Sequence, residues 1–377
     1  MKEKILNCIL YITRTIMCII YFFIKLFPIK KNKITMLSRQ SNTISIDFEL
    51  LTDKLKENEK KFDIVILCKK VPKTFIKRIG YCFYIIKCMY HIATSKVCIV
   101  DGYNIPISAL KHKKELVVIQ IWHAMGAIKK FGYQVLNKEE GYHEKIAKIM
   151  KMHQNYTMIT CTSKVTREFY EEAFKTDKEK ILLYGMPRVD YLLGRVNKAK
   201  EKEKELIEKY PVLKEKKTIL YVPTFRKNKE AKIEELIQAV DTEKYNLILR
   251  LHPLEMKEID EKYTIGKEFE TQDILRISDY IITDYSAIAF EASLLEKPLY
   301  FYTYDIETYK ENRGLNINLK EEMPNATFLH AEEIIQDIEK GTYCYEELAR
   351  FQKKYVETRE ENNTMKIVKF IIKIMEE

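Results

Sequence analysis

The chain has 377 residues, which is comfortable for two domains and long for one. With 46% hydrophobic residues, 32% charged residues and 10 glycines, it is neither disordered nor fibrous. The formal net charge of +10 favours an anionic partner such as a phosphate-rich substrate, a nucleic acid or a membrane surface, although solvated lysines alone give the same excess. The eight cysteines form no C-x-x-C pair and most lie in apolar runs, which is typical of reduced, buried thiols rather than of disulfides or zinc ligands.

The N-terminal segment, residues 1–34, is predicted to associate with a membrane. Its apolar run, residues 5–27, is long enough to cross a bilayer and lacks the small-residue cleavage site of a signal peptide. The polar residues of this run recur every three or four positions and therefore share one helix face: Asn7, Tyr11, Arg14, Cys18, Tyr21 and Lys25. The sequence KKNK follows from Lys30. This pattern favours a helix lying on the cytoplasmic membrane face with lysines on anionic headgroups; a single spanning anchor and a buried helix remain alternatives.

Two series of alternating strands and helices follow. The predicted strands are continuous apolar runs at residues 62–68, 97–102, 116–123 and 157–163, and again at 218–226, 245–253, 280–286 and 298–305. Continuous apolar strands separated by helical stretches indicate parallel sheets that are covered on both faces. We therefore expect an α/β protein with two doubly wound, Rossmann-like domains facing across a cleft, preceded by the N-terminal helix.

The domain boundary is predicted where a lysine- and glutamate-rich stretch interrupts this alternation. The expected organisation is a membrane-associated segment, an N-terminal domain, a charged linker helix and a C-terminal domain that includes the final helix: 1–34, 35–195, 196–217 and 218–377.

Candidate functional residues lie where the predicted strands end, because ligands of open α/β sheets bind beyond the carboxyl ends of the strands. These residues are His123 and Gly126 in the first domain, Thr224, Arg226, Arg250, His252, Thr283, Asp284 and Ser286 in the second, and Gly185, Pro187, Arg188 and Asp190 near the junction. Taken singly, a strand-end histidine or arginine is also compatible with a structural role. Together they predict a phosphate-handling cleft, without the P-loop or the G-x-G-x-x-G motif. His143 and His153, in a lysine-rich helical stretch, are expected to face solvent.

The stretch DYIITDYSAIAFEA, residues 279–292, predicts the anion site itself. Ser286 and Ala287 are expected to begin the helix after the strand, where backbone N–H groups and the helix dipole attract anions. The hydroxyl groups of Thr283 and Ser286 add hydrogen-bond donors. Asp284 is expected to cap the helix or to orient its neighbours. Glu291 is expected to bind a ribose or another hydroxyl, or else to be a partly buried acid of the helix.

Six stretches resemble the CDP-glycerol glycerophosphotransferase family, the teichoic acid primases and polymerases. They are WHAMGAIKKFG from Trp122, YGMPRVDYL from Tyr184, YVPTFR from Tyr221, LRLHP from Leu249, ITDYSAIAFEASLLEKPLYFYTYD from Ile282 and NRGL from Asn312. Together they resemble the family in its own order along most of the chain. The chain departs from the family where many members read T-P-L-K after W-H-G. It also has Ala287 and Glu291 at positions where the family pattern has serine and aspartate.

The resemblance implies a GT-B-type fold with an acceptor domain followed by a CDP-alcohol-binding domain. It implies transfer of glycerol phosphate from CDP-glycerol to a hydroxyl of a lipid-linked acceptor, at the cytoplasmic membrane face of a Gram-positive bacterium, with release of CMP. The acceptor would be a prenyl-diphosphate-linked saccharide or a polyol phosphate. The departures keep CDP-ribitol as an alternative donor, and a glycosyltransferase of the same fold using a nucleotide sugar remains the main competitor.

The resemblance also assigns roles to residues. His123 corresponds to the family's base, and His252 to a catalytic histidine that contacts the donor pyrophosphate. The remaining donor-binding residues are expected to be Thr224, Arg226, Arg250, Thr283, Ser286, Ala287, Glu291 and Arg313, with Gly126, Gly185, Pro187, Asp190 and Asp284 shaping the cleft. We expect no cofactor and, because no D-x-D carboxylate cluster occurs, no metal. No nucleic-acid-binding motif occurs. The oligomeric state stays open, a homo-oligomer included.

Overall fold

The computed structural model describes residues 2–72, 74–226, 231–251 and 259–377. The chain divides into two compact units, each formed by more than one segment. Unit 1 comprises Met1–His123, Phe131–Arg188 and Glu360–Glu377, and unit 2 comprises Ala124–Lys130 and Val189–Arg359. Each unit contains one parallel sheet, and the predicted α/β class with two doubly wound domains is confirmed.

The sheet of unit 1 has six strands in the order β2-β1-β3-β4-β5-β6. These strands are β1 (Lys30–Ser38), β2 (Asp63–Cys68), β3 (Ser95–Val100), β4 (Val117–Gln120), β5 (Met158–Thr160) and β6 (Ile181–Leu182). The sheet of unit 2 has five strands in the order β11-β10-β9-β7-β8. These strands are β7 (Lys217–Val222), β8 (Tyr245–Leu249), β9 (Tyr280–Thr283), β10 (Leu299–Tyr302) and β11 (Thr327–Phe328).

Helices connect the strands. In the first half of the chain they are α1 (Lys2–Ile24), α2 (Ile46–Lys56), α3 (Phe75–Thr94), α4 (Ile105–Ala109), α5 (Glu144–Ile149), α6 (Lys164–Phe174), α7 (Pro187–Leu192), α8 (Asn197–Lys209) and α9 (Val212–Glu215). In the second half they are α10 (Ile233–Ala239), α11 (Thr271–Ile277), α12 (Ile288–Leu294), α13 (Ile306–Asn312), α14 (Leu319–Glu322), α15 (Ala331–Lys340), α16 (Tyr345–Tyr355) and α17 (Asn363–Glu376). Short 3₁₀ helices lie at Gly132–Val135, Lys178–Lys180, Glu261–Tyr263, Pro324–Ala326 and Glu357–Glu360.

The basic segment after the N-terminal helix is part of the sheet of unit 1, which corrects its assignment to the membrane. Lys30–Ser38 forms β1, which lies between β2 and β3. Lys33 is buried, and its Nζ donates a hydrogen bond to Thr94 Oγ1 at 2.7 Å. Burial lowers the pKa of this lysine. Ile34 and Met36 are fully buried in the core. Burial of these apolar residues fixes the strand in the sheet, and the basic residues that precede them are held there with it.

The C-terminal helix belongs to unit 1, whereas the sequence placed it in the domain of residues 218–377. α17 packs against α2 and β3. Its residues Ile367 and Ile371 are fully buried in the same core as Ile34 and Val97. The first sheet thus removes the apolar face of α17 from water. This burial stabilises the position of the C-terminal helix in unit 1.

The charged stretch at residues 196–217 is a packed helix of unit 2. α8 contacts α11, and its Leu206 is fully buried although most neighbouring positions are lysine or glutamate. Gly266, in the left-handed region at φ +68°, comes so close that a Cβ there would lie 3.0 Å from Leu206 Cδ1. Ala199 and Leu206, seven residues apart, are the buried residues of this otherwise charged helix.

Arg14 and Tyr21 of the predicted polar face of α1 contact the protein, whereas Tyr11 and Cys18 of that face are exposed together with most of the apolar residues. Arg14 Nη1 donates to the Ile149 carbonyl at 3.1 Å, and Tyr21 OH lies 2.7 Å from His112 Nδ1. Large exposed apolar side chains cover the remaining surface: Ile5, Leu6, Ile9, Tyr11, Ile12, Ile16, Ile19, Phe22 and Phe23. The helix is long and apolar enough to cross a membrane, although length and composition alone are weak evidence for that.

Candidate functional site

The candidate residues His123 of unit 1 and Thr224, Arg226 and Asp284 of unit 2 lie near the point where the strand order of the sheet reverses. In unit 1 the reversal falls between β1 and β3, and in unit 2 between β7 and β9. Loops leaving neighbouring strands in opposite directions open a crevice at such a point, and ligands of doubly wound sheets bind there. The topology therefore defines one candidate half-site in each unit.

His123 lies just beyond β4, after a turn with unusual backbone geometry. Trp122 has φ +57°, which is in the left-handed region and rare for a bulky residue. The Trp122 N–H donates to Gln120 Oε1 at 2.9 Å, and the indole ring stacks on Phe131 with centroids 4.9 Å apart. The turn leaves the His123 side chain exposed, although its ring contacts the indole at 4.3 Å.

One hydrogen bond fixes the tautomer of His123. Its Nδ1 lies 2.9 Å from the backbone oxygen of Asp101, at the end of β3. A carbonyl oxygen only accepts, so Nδ1 carries the proton and Nε2 is the nitrogen able to take up another. Gln40 Nε2, just beyond β1, also lies 3.3 Å from this Nδ1, but an amide nitrogen only donates and therefore makes no hydrogen bond to a protonated Nδ1. The imidazole is therefore oriented by its hydrogen bond to the Asp101 carbonyl, as a general base requires.

The carboxyl group of Asp101 is buried. Burial raises its pKa to about 6, opposed by a hydrogen bond from Ser38, while the charge of Asp47 raises it further. Asp47 itself is buried and accepts from Arg188 N at 2.9 Å and from Arg188 Nε at 2.8 Å. Arg188, a candidate from the junction motif, is thus held in a structural ion pair of unit 1.

His153 is buried behind Trp122, whereas the sequence predicted a solvated side chain. It is 5% exposed, and its ring lies edge-on to the indole at a centroid distance of 5.8 Å. Burial lowers its pKa to about 3, and the charge of His123 lowers it in the same direction. His153 is therefore neutral at physiological pH and packs among aromatic rings, where it supports the Trp122 turn.

Asp284 joins the two central loops of unit 2. Its buried carboxylate accepts from the Thr224 backbone N–H at 2.9 Å and from Arg226 Nη1 at 2.9 Å. Thr224 and Arg226 follow β7, and Asp284 follows β9, so these bonds cross the strand-order reversal. Asp284 orients its neighbours instead of facing an anion itself.

Arg226 lies between two carboxylates. Its Nε donates to Asp305 at 2.7 Å, its Nη1 contacts Asp284, and the ring of Tyr304 lies 4.8 Å from the guanidinium carbon. Burial alone would lower its pKa, but the hydrogen bond to Asp305 and the charge of Asp284 raise it above the usual value. The side chain is 5% exposed, so its charge is used within the protein.

Lys129 is a cation of the half-site that the sequence analysis missed. Its Nζ donates to Thr224 Oγ1 at 3.3 Å. The segment Ala124–Lys130 packs on unit 2, where Arg313 Nε donates to the Lys130 carbonyl at 3.1 Å. Arg313 therefore holds the segment that carries Lys129. The available signal was the lysine pair that follows His123 in WHAMGAIKKFG.

Gly126 allows this segment to lie against α12. A Cβ at this position would lie 2.5 Å from Cε2 of the buried Phe290 ring, closer than real contacts allow. Gly185 has φ +68° and precedes Pro187, the first residue of α7. Asp190, in the same helix, is buried and accepts from Arg195 Nη1 at 3.2 Å.

The residues of the DYIITDYSAIAFEA stretch are more buried than the sequence predicted. Thr283 donates its hydroxyl proton to the Val222 carbonyl at 2.7 Å. Ser286 is half-buried, with its Oγ 3.4 Å from the Ile288 N–H, and Ala287 precedes α12. Glu291 is 3% exposed and accepts from Gln272 Nε2 at 2.8 Å. Within residues 281–294, only Ser286 and Ala287, which precede α12, are half-buried rather than buried, so they are the ones able to meet a ligand.

Arg250, another predicted ligand of the donor, is bonded within unit 2. Arg250 donates to the carbonyl groups of Gly266 and Phe269, and burial lowers its pKa. His252 lies outside the described residues. Within the described ranges, no three histidine, cysteine, aspartate or glutamate residues are grouped so that they could hold a metal ion.

Comparison with known proteins relates this arrangement to one family. Residues 19–373 match the family model described as CDP-Glycerol:Poly(glycerophosphate) glycerophosphotransferase. The teichoic acid ribitol-phosphate primase of Bacillus spizizenii is 31% identical over 360 residues, 92% of each chain. The teichoic acid glycerol-phosphate primase of Bacillus subtilis is 31% identical over 299 residues, 76% of each chain. A structure of the wall teichoic acid polymerase TagF has the same fold, with TM-score 0.76 and 18% identity over 100% of this chain and 98% of that one.

Proposed function

The chain belongs to the CDP-glycerol:poly(glycerophosphate) glycerophosphotransferase family, and from this premise we propose that it moves glycerol phosphate from CDP-glycerol to a hydroxyl of a lipid-linked acceptor. The family comprises teichoic acid primases and polymerases that transfer polyol phosphate from a CDP-alcohol. The observation that supports a transferase mechanism in this chain is the fixed tautomer of His123, whose Nδ1 donates to the Asp101 carbonyl at 2.9 Å. A histidine held in this way presents Nε2 as a base.

In the proposed reaction, the acceptor hydroxyl attacks the phosphorus that carries the glycerol. His123 Nε2 takes the hydroxyl proton as the new P–O bond forms. The bond between this phosphorus and the bridging oxygen breaks, and that oxygen leaves with its electron pair as part of CMP. The charge on the leaving phosphate must be offset by positioned donors, since phosphoryl transfer is catalysed largely by electrostatic stabilisation.

Unit 2 supplies donors suited to the CDP-alcohol phosphates. Lys129 Nζ and Thr224 Oγ1 lie 3.3 Å apart beside the strand-order reversal. The half-buried Ser286 precedes α12 in the same loop region. Arg226 and Asp284 act indirectly. They form an ion pair with each other, and Asp284 also accepts the hydrogen bond that positions the Thr224 backbone. His252 stays a predicted ligand of the pyrophosphate.

Ribitol phosphate is the second candidate cargo. The relative that matches over 92% of both chains is named a ribitol-phosphate primase, while the glycerol-phosphate primase matches over 76%. The experiment is CMP release by the purified protein from CDP-glycerol and from CDP-ribitol, with a prenyl-diphosphate-linked disaccharide or a glycerol-phosphate primer as acceptor. Faster acceptor-dependent release from CDP-glycerol supports the proposal, and faster release from CDP-ribitol replaces glycerol by ribitol. No CMP from either, with UDP released from a UDP-sugar, would make the protein a glycosyltransferase.

The proposed acceptor is membrane-bound, and the exposed surface of α1 and α3 is suited to the membrane. α3 exposes large apolar side chains with a spacing of three and four residues: Ile76, Ile79, Phe83, Ile86 and Tyr90. The two helices contact each other, and Phe27 meets Tyr90 edge-on at 5.5 Å. α3 carries lysine and arginine but no acidic residue. We call these exposed faces of α1 and α3 the apolar two-helix face, and we propose that it lies on an anionic bilayer.

Vesicle sedimentation tests this membrane contact. Replacing Ile76 and Phe83, which are 81% and 70% exposed, by serine removes apolar area without disturbing the core. Binding to phosphatidylglycerol vesicles is expected to fall at least about tenfold, because burying one such side chain is worth ~1.5–3 kcal/mol. Leu329→Ser, an exposed leucine of unit 2, is the control and leaves binding unchanged. Unchanged binding of the double variant would exclude α3 from the membrane contact.

A further inference from the structure

Gln120, the last residue of β4, is fully buried, and its side-chain amide bonds to two separate loops. Its Nε2 donates to the Gly102 carbonyl at 3.1 Å, and its Oε1 accepts from the Trp122 N–H at 2.9 Å. We propose that Gln120 is a positioning residue that aligns the Asp101 carbonyl with His123 and so sets the tautomer of the base. This inference rests on the proposed function of His123.

The two loops need such a connection because the sheet ends just before them. β3 and β4 pair as far as Val100 and Gln120, and the Ile121 N–H still donates to the Val100 carbonyl at 2.9 Å. Beyond this bond the chains diverge into the Asp101–Gly102 loop and the Trp122–His123 turn. The amide of Gln120 spans the divergence, with one hydrogen bond to each side.

Each of its two bonds acts on one partner of the His123 contact. The bond from Nε2 holds the Gly102 carbonyl. This carbonyl is one peptide group after the Asp101 carbonyl, so the bond restrains the loop that carries the Asp101 oxygen. The bond to Oε1 holds the Trp122 N–H in a residue with φ +57°, a conformation that bulky side chains rarely adopt. The loop at Gly102 is closely packed, because a Cβ there would lie 2.8 Å from Gln40 Nε2 and 3.8 Å from His123 Nδ1. The loop therefore has little room to move.

Only an amide of this length meets both requirements. One bond needs a donor and the other an acceptor, which glutamine supplies together, whereas ionised glutamate lacks the donor and leucine lacks both. Loss of the alignment removes the acceptor that favours Nδ1–H. The imidazole then also populates the tautomer with the proton on Nε2, which cannot act as the base.

The test compares two substitutions at this position. Gln120→Leu removes both bonds. Gln120→Glu, measured at alkaline pH where the new carboxyl group is ionised, keeps the bond to Trp122 and loses the bond to Gly102. We expect kcat for CMP release to fall on the order of 100-fold in Gln120→Leu, with KM for CDP-glycerol within about twofold, because a small misplacement of a catalytic group has that effect. The ¹⁵N chemical shifts of His123 are expected to move toward the Nε2–H tautomer in both variants. Glutamate has the smaller effect on kcat.

A matched control separates positioning from stability. Asn246 in unit 2 is also buried, and its amide donates to the Val212 and Lys216 carbonyls at 3.0 and 3.1 Å. Asn246→Leu is expected to lower stability while keeping kcat of the folded protein and the His123 shifts unchanged. If Gln120→Leu does not fold, Gln120→Glu carries the test.

Two results would overturn the inference. One is wild-type kcat in the folded Gln120 variants, and the other is a loss of kcat with unaltered ¹⁵N shifts of His123. The failure of the proposed function has a different signature: His123→Ala would then keep its turnover, while the ¹⁵N shifts would still report whether Gln120 sets the tautomer.

Discussion

Arg226 shows how the position of a residue in the chain can suggest a role that its contacts do not support. At the end of β7 it was predicted to bind donor phosphate, yet its guanidinium group lies between Asp284 and Asp305 with the side chain 5% exposed. We expect Arg226→Met to lower the free energy of unfolding by about 3–5 kcal/mol, because it leaves the buried Asp284 and the largely buried Asp305 without their cation. Urea unfolding measures this.

The exposed Arg350 of α16 provides the matched control for this prediction. Arg350→Met is expected to change stability by less than about 0.5 kcal/mol. A stable Arg226→Met variant with a strongly raised KM for the donor would instead indicate that Arg226 binds the donor phosphates.

Asp101 gives a prediction that depends on pH. Its pKa rises from 3.8 to about 6 on folding, chiefly through burial. Because the folded-state pKa is the higher one, the protonated carboxyl group favours folding, and this contribution is lost as pH rises from 3.8 to about 6. Asp101→Asn should therefore gain stability relative to the wild type between about pH 4 and pH 7.5, by up to roughly 3 kcal/mol.

Thermal unfolding across this pH range provides the measurement. Asp53→Asn, at an exposed aspartate of α2, is the control and should show no such trend. A stability difference between Asp101→Asn and the wild type that is the same at both ends of the range would contradict the prediction.

Gly126 is required by its neighbour rather than by its backbone angle. A methyl group there would meet the Phe290 ring at 2.5 Å. Gly126→Ala is therefore expected to cost about 1–3 kcal/mol of stability through overpacking. Adding Phe290→Leu should recover part of this cost, which a double-mutant cycle in urea would detect. Purely additive losses would show that the two positions do not interact.

At the scale of elements, the C-terminal helix has the clearest consequence. α17 contributes Ile367, Val368 and Ile371 to the core of unit 1. Removing residues 363–377 should therefore prevent unit 1 from folding, since each lost core side chain costs about 2–5 kcal/mol. Soluble yield and thermal unfolding report the effect, with removal of residues 376–377 alone as the control. A stable, folded protein lacking α17 would support a C-terminal domain that holds the helix, as the sequence suggested.

Helix α1 and strand β1 show what periodicity can and cannot predict. The spacing of polar residues in α1 predicted one polar face, but it could not tell which of its residues meet the protein, and Tyr11 and Cys18 of that face are exposed. Arg14 and Tyr21 bond to backbone and side-chain groups of unit 1, so the apolar face is the exposed one. The central strand β1 was not predicted, because its first residues are lysines. Lys33 can be buried there only because it donates a hydrogen bond to Thr94, a contact that depends on the tertiary structure.

At the scale of the whole molecule, the alternation of apolar runs and helical stretches was sufficient to predict two doubly wound parallel sheets. It also placed His123, Thr224 and Asp284 at strand ends, where the structure has them. The pairing of these residues could not be predicted, because Asp284 meets Thr224 across the sheet and 60 positions along the chain. Burial of His153 and the contact of Lys129 with Thr224 depend on tertiary packing in the same way.

The central claim is that His123 is the base of a polyol-phosphate transfer. The most direct test is acceptor-dependent CMP release from the CDP-alcohol by His123→Ala, beside His143→Ala at an exposed histidine that caps α5. We expect His123→Ala to lose on the order of 10²–10⁴-fold in turnover, the usual contribution of a general base, with His143→Ala unchanged. Turnover by His123→Ala within about twofold of the wild type would contradict the proposed mechanism.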